Sequence, residues 1–89
     1  NETNLSEANL RQANLTGIEL SKACLKEADL FKANLSQANL SEANLQEADL
    51  IKADLSEVNF SRADLSGANL KEAIINGANF TEAKLKATN

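Results

Sequence analysis

From Leu5 to Leu85 every fifth residue is large and apolar, with Leu at fourteen of the seventeen places, Phe60 and Phe80 at two and Ile75 at one. Two residues before each stands a small residue, Ala everywhere except at Thr3, Ile18 and Val58. Between the two sits a short polar residue, usually Asn or Asp, as in Ala8-Asn9-Leu10 and Ala48-Asp49-Leu50. The other two positions of each five are mostly Ser, Lys, Glu, Gln or Gly, and no insertion breaks the frame. Self-similarity at a fixed period decides the architecture before any single element is weighed.

An α-helix is the first competitor, since Ala, Leu, Glu and Lys all favour it. At about 100° per residue, a five-residue step turns the Leu by roughly 140°, so the apolar positions spread around the cylinder and build no face. Asn or Asp in almost every repeat also favours turns over helix interiors. In extended chain, residues two apart point to one side and the residue between them to the other. Ala and Leu then point inward, Asn outward, and the remaining two residues turn the corner. Repetition of this unit predicts a coil with an apolar inside and a polar outside, a β-solenoid.

These residues resemble the pentapeptide-repeat proteins, whose motif is a small residue, Asp or Asn, Leu or Phe, and two variable positions. The resemblance runs through the whole chain, seventeen repeats in unbroken register. It implies an all-β fold, a right-handed quadrilateral parallel β-helix of about four coils, each of four pentapeptide repeats, forming a single domain over 1–89. Four repeats per coil means 20 residues per coil, and stacking at about 4.8 Å per coil gives a rod roughly 20 Å long.

With that coil length the chain sorts into four walls, named here by their first Leu. The inner columns are Leu5/25/45/65/85, Leu10/30/50/70, Leu15/35/55 with Ile75, and Leu20/40 with Phe60/80. Ile18 and Val58 alternate with Ala38 and Ala78 on the last wall, as interleaved core packing requires. Outside, the Asn and Asp ladders are structural, their side chains turning the corners. Gly17, Gly67 and Gly77 hold the last place of their repeats, where positive φ permits a type II turn. Corners with Glu, Gln, Lys or Arg there are expected to turn in another way. Glu19, Cys24, Ile74 and Lys84 replace the usual Asn or Asp and are expected to weaken the ladder, with Glu19 and Lys84 facing water.

Composition narrows the function. The 89 residues carry a net charge of −4 and include no His, Tyr, Trp, Met or Pro and one Cys. Imidazole catalysis, imidazole metal binding, stacking on indole and an internal disulfide are therefore excluded. No long apolar run, signal peptide or lipidation motif is present, so membrane insertion is not expected. The chain opens Asn1-Glu2-Thr3 without Met, which reads as a mature or trimmed piece of something longer. The resemblance implies a bacterial, cyanobacterial source, and the compartment is left open between cytoplasm, periplasm and thylakoid lumen.

Charge sorts by wall to −1 (Leu5), +1 (Leu10), −2 (Leu15) and −2 (Leu20). The column Lys22, Glu42, Arg62, Glu82 alternates in sign and is expected to pair at a few tenths of a kcal/mol per contact. Some pentapeptide-repeat proteins, the fluoroquinolone-resistance members, resemble DNA and occupy its site on type II topoisomerases such as DNA gyrase. Such mimicry needs dense negative charge over a long surface, whereas here Lys and Glu interleave on a short one. Nucleic-acid binding is not expected either, with no basic stripe bearing aromatics. The carboxylates, lysines and Cys24 all fall on convex outer walls, where nothing desolvates them. No catalytic residue, cofactor or metal is assigned, the Glu7/Glu27/Glu47 column reading as a solvated row.

The remaining role is a rigid scaffold for protein–protein interaction, its partner unknown, with topoisomerase inhibition as the alternative. The candidate patch is the outward column Arg11, Phe31, Ile51, Lys71 on the Leu10 wall, with Lys32 and Lys52 beside it and Ile74 on the next wall. Phe31 against Ile51 serves either the stack itself or a partner. The ends of a β-helix are open, and self-association through them is the second expectation, with Leu5 and Leu85 as the end residues and Lys84 and Lys86 attracting Glu2 or Glu7 of a neighbour.

Overall fold

A computed structural model describes residues 3–89, so Glu2 and its expected charge contacts lie outside the described residues. Parallel β-bridges join each outward polar residue to the one 20 positions on, from Asn4–Cys24 through Asp29–Asp49 to Asp64–Lys84. Each coil therefore takes 20 residues and has four sides of five, with bridges one residue long. The molecule is as wide as it is tall, 25 × 25 × 24 Å, so the expected rod is a nearly cubic block. About four coils at about 4.8 Å stack to little more than the width of one coil.

Inside the stack, a five-residue unit that carries Asn or Asp places all of its backbone N–H groups. Leu25 N–H donates to the Asn44 carbonyl in the following coil (2.7 Å) and Asn44 N–H to the Ala23 carbonyl in the preceding one (2.9 Å). The last residue of the repeat also reaches the following coil, Glu27 to Gln46 (2.9 Å), and the next Ala closes the turn, Ala28 to Leu25 (3.0 Å). The fifth donor, the first corner amide, goes to the Asn or Asp side chain two residues back, as Gln46 N–H does to Asn44 Oδ1 at 3.0 Å. An Asx turn in each repeat that carries Asn or Asp thus supplies the acceptor that the neighbouring coils lack.

The corners correct one expectation. Positive φ occurs at the last place of every repeat, between 58° and 64° at the fourteen non-glycine residues and 69° to 74° at Gly17, Gly67 and Gly77. Glu, Gln, Lys and Arg turn the corner as Gly does, with the i to i+3 bond and positive φ at the third residue that define a type II turn. The left-handed conformation costs about 1–2 kcal/mol for an L-residue. The i to i+3 bond closes every such corner, and the side chain of the left-handed residue points into water. At Gly67 the glycine has a further use, since an added Cβ would lie 3.0 Å from Cγ of Glu47, whose side chain crosses it.

Inside, the Leu and Ala columns form one continuous core. Leu25 through Leu55, Phe60 and Leu65 are fully buried. Phe60 and Phe80 stack with centroids 5.1 Å apart and planes 12° from parallel, on the wall where Val58 and Ala78 alternate in size. No polar or charged residue among those described is buried.

Candidate interaction surfaces

The Leu10 wall brings most of the expected patch together. Gln12 N–H bonds the Phe31 carbonyl, Lys32 N–H the Ile51 carbonyl and Lys52 N–H the Lys71 carbonyl, each at 2.8–2.9 Å, so Arg11, Phe31, Ile51 and Lys71 occupy adjacent coils at one corner. Phe31 and Ile51 are partly buried, more covered than an outward position suggests. The cover on Phe31 is cationic, with the Arg11 guanidinium 4.6 Å from the ring centroid and the Lys32 ammonium 5.5 Å from it. Arg11 is also held by Asp29 at 3.1 Å. Such a cation against an exposed ring contributes about 0.5–1 kcal/mol and keeps the ring in place. The sequence columns put Arg11 above Phe31, but not the cation over the ring, which depends on rotamers.

Ile74 stands apart from that column. It is bridged to Asp54 on the Leu15 wall and is 49% exposed. Lys52 leans toward Glu72 (3.9 Å), and the Leu20 wall carries the triplet Glu42–Arg62–Glu82 at 3.8 and 3.1 Å. Of the alternating column, Glu42, Arg62 and Glu82 pair; Lys22 enters no ion pair among the described residues.

Glu19 corrects a second expectation. Although exposed, its carboxylate does the work of the missing Asn, with Oε2 accepting from both the amide and the hydroxyl of Ser21 and Oε1 accepting from Asn39 Nδ2 at 2.9 Å. These bonds, the Ser21 hydroxyl foremost, hold its pKa below the ordinary glutamate range. The extra methylene still lets the side chain curl back two residues. Asp54 is lowered similarly by the Ser56 hydroxyl (2.6 Å) and then its amide, and Asp64 mainly by the Ser66 hydroxyl. At Cys24, Ile74 and Lys84 no side chain replaces the Asx acceptor, and among the described residues the amides of Lys26, Asn76 and Lys86 have no protein partner.

The other surface is the last coil, residues 70–89. The large apolar side chains exposed among the described residues are Ile74, Ile75 and Leu85, all in this coil. Leu70, Ala73, Ile75, Phe80 and Leu85 line an open apolar concavity of about 450 Å³ at the end of the stack. In the first coil Leu5, Leu10 and Leu15 are partly buried. Of the two expected end residues, Leu85 is 46% exposed and Leu5 less so. No group of three or more carboxylate or thiol ligands converges among the described residues. Cys24 lies between Asn4 and Asn44, and among the described residues no helix is long and apolar enough to cross a membrane.

A family model of pentapeptide repeats (8 copies) matches residues 1–37, 23–62 and 63–89. The fold is similar to that of a pentapeptide repeat protein from the Arabidopsis thaliana thylakoid lumen, at 30% identity and TM-score 0.94 over 98% of this chain and 61% of that one. It is also similar to a pentapeptide repeat protein from Nostoc PCC 7120, at 39% identity and TM-score 0.84 over 86% of this chain and 64% of that one. QnrB1, a plasmid-mediated fluoroquinolone resistance protein, aligns at 27% identity and TM-score 0.62 over 99% of this chain and 46% of its own. The chain thus spans less than two thirds of the length of each of these structures. Among curated proteins no sequence matches.

Proposed function

Because the chain belongs to the pentapeptide-repeat family, with its right-handed quadrilateral β-helix, we propose that it is a non-catalytic scaffold that presents side chains to a protein partner. The observation that carries this reading is the Leu10 wall. Arg11, Phe31, Ile51 and Lys71 project from one corner of four successive coils joined there by backbone hydrogen bonds. A partner docking there meets side chains that are already ordered, which lowers the entropy cost of association. Aromatic and arginine side chains are the residues that most often anchor such contacts. Lys32, Lys52 and Lys71 around the apolar pair favour a partner surface with acidic residues around an apolar one.

The reading is tested by placing a photo-crosslinking residue at Gln12, on the Leu10 wall, and separately at Gln37, on the Leu15 wall, in the native host. A partner captured from Gln12 and lost in the Phe31→Ser/Ile51→Ser double variant supports the site. Equal capture from both walls, or capture indifferent to the double variant, removes it.

Similarity to QnrB1 favours topoisomerase inhibition as the second reading. Against it stands the pairing of the surface charges. Arg11 with Asp29, Lys52 with Glu72 and Arg62 with two glutamates leave no unbroken acidic stripe along these walls. Gyrase supercoiling unaffected by micromolar protein is the expected result, and inhibition that weakens on neutralising Asp54 and Glu57 would favour the second reading instead.

A further inference from the structure

The corner of the Leu20 wall carries one charge per coil. Lys22 N–H donates to the Ser41 carbonyl, Glu42 N–H to that of Ser61 and Arg62 N–H to that of Thr81, at 2.8–2.9 Å, so Lys22, Glu42, Arg62 and Glu82 stand one above another on four successive coils. All four are exposed and hold a φ of 58–64°. A coil spacing of about 4.8 Å makes this column a ruler of charges that alternate in sign. Beside it run Ser21, Ser41, Ser61 and Thr81, too short to keep a neighbour away, and then Glu19, Asn39, Asn59 and Asn79, fixed in register by parallel bridges. Within the chain the column is neutralised only in part. Arg62 meets Glu42 at 3.8 Å and Glu82 at 3.1 Å, whereas Lys22 enters no ion pair among the described residues.

A column of four charges that alternate in sign is complementary to itself when reversed. We propose that the Leu20 wall is a dimerisation surface whose occupant is a second copy of this chain, lying antiparallel about a two-fold axis perpendicular to the stack. Lys22 then faces the second copy's Glu82, and Glu42 its Arg62. The symmetry repeats both contacts, as an isologous interface requires. Every charge of the column thereby meets its opposite across the axis, and Lys22 gains the partner it lacks within the chain. The neighbouring columns fit the same register. Glu19 faces the second copy's Asn79, Asn39 its Asn59, Ser21 its Thr81 and Ser41 its Ser61, with no like charges opposed.

Comparison with the other walls selects this surface. Reversed in the same way, the Leu10 wall sets Lys32 against Lys52 and Arg11 against Lys71, the Leu5 wall sets Lys26 against Lys86, and the Leu15 wall brings no opposite charges together. Charge also selects the register on the Leu20 wall. A parallel copy in step opposes Lys22 to Lys22, and an antiparallel copy displaced by one coil opposes Lys22 to Arg62 and Glu42 to itself. Like charges so placed disfavour both arrangements. A block of 25 × 25 × 24 Å offers a side of about 600 Å². Two copies cover at most about 1,200 Å² in total, the lower edge of specific interfaces. Exposed ion pairs each add little to that, so weak, salt-sensitive dimerisation is expected. The Leu10 wall lies across the square from the Leu20 wall and stays free in both copies.

Sedimentation equilibrium from micromolar to millimolar protein tests this. At low salt the mass should rise to that of a dimer and stop there, and NaCl at about 0.5 M, where the screening length is about 4 Å, should weaken association about tenfold. Lys22→Glu alone and Glu82→Lys alone each oppose like charges twice across the axis, and each should weaken association by about tenfold or more. An equimolar mixture of the two variants should restore it, because in the mixed dimer the two substituted residues face each other at one contact and Lys22 faces Glu82 at the other. Circular dichroism verifies folding. Lys22 has no ion pair within the chain, so the effect of Lys22→Glu does not come from a contact broken inside the stack. A strict monomer to millimolar concentration, a mass that climbs past the dimer, association indifferent to salt and to both reversals, or a mixture no tighter than its components would overturn the proposal. So would a dimer lost in Phe31→Ser/Ile51→Ser and kept in Lys22→Glu, which would place the contact on the Leu10 wall.

Discussion

Replacing Asn44 by Ala isolates what one Asx side chain contributes to the stack. Its backbone bonds, to Ala23 and from Leu25, survive the substitution; what disappears is the Oδ1 that accepts the Gln46 amide at 3.0 Å. Gln46 is partly buried between Lys26 and Ser66 in the same column, so water replaces the lost acceptor incompletely. Leaving a donor unpaired costs about 1–3 kcal/mol when it is buried, and partial access to water places the expected loss at about 1–2 kcal/mol. For a domain of this size that lowers the melting temperature by several degrees, about 4–8 °C per kcal/mol. The chain contains the inverse experiment one coil away. Cys24 occupies the same column between Asn4 and Asn44, and the Lys26 amide lacks a side-chain acceptor. Cys24→Asn should therefore add one Asx turn and stabilise by about 0.5–1.5 kcal/mol, the net value of a hydrogen bond won from water. Urea melts of the two variants and of Asn44→Asp, which keeps the acceptor, give the comparison at unchanged m-value. Should Asn44→Ala cost no more than Asn44→Asp, or Cys24→Asn destabilise, the ladder is not what satisfies the corner amides.

Leu45, fully buried in mid-stack, should lose about 2–5 kcal/mol on truncation to Ala, while Leu85→Ala, at a site 46% exposed, should lose under about 1.5 kcal/mol; equal losses in urea melts would contradict the inward assignment of the fifth-residue columns. Asp54 and Asp64 have carboxyl groups held below their ordinary value of 3.8 by Ser56 and Ser66, so their contribution is present above that pH and is lost as the pH falls through the lowered folded values. Linkage then predicts that Asp54→Asn/Asp64→Asn, which keeps the corner acceptors, flattens the acid side of a stability–pH curve below about pH 4; an unchanged slope would refute it.

The frame, the inward columns and the 20-residue neighbours are legible in the sequence because a strictly kept five-residue step leaves one arrangement in which the large side chains meet. What was not legible depends on atoms beyond the step. Lys52 at φ 60° gives no sign in the sequence of a left-handed corner, since intrinsic preference assigns that conformation to Gly. What accompanies it there, as at every corner, is the turn bond from the Ala53 amide to the Leu50 carbonyl. Glu19 was expected to weaken the ladder, yet its flexible chain returns to Ser21. On the Leu10 wall the residues were legible and their arrangement was not. Phe31 was placed against Ile51 in the column, but its partial cover by Arg11 and Lys32 was not foreseen.

That division between backbone and side chain bears on how such a surface is changed. At Gln12, Lys32 and Lys52 the backbone makes its hydrogen bond to the next coil whatever the side chain is, and the side chain points into water. Replacing these residues by Gly would relieve about 1–2 kcal/mol of left-handed strain but add about 0.5–1 kcal/mol of lost chain entropy. The two effects oppose each other and leave a preference for Gly of about 0–1.5 kcal/mol, small enough that the fold tolerates Glu, Gln, Lys and Arg at the corner. Residues 20 apart in sequence come within about 4.8 Å of each other along a wall. A contact surface such as Arg11, Phe31, Ile51 and Lys71 can therefore be assembled from four distant repeats, and any one of them can change without disturbing the Leu and Ala columns behind it.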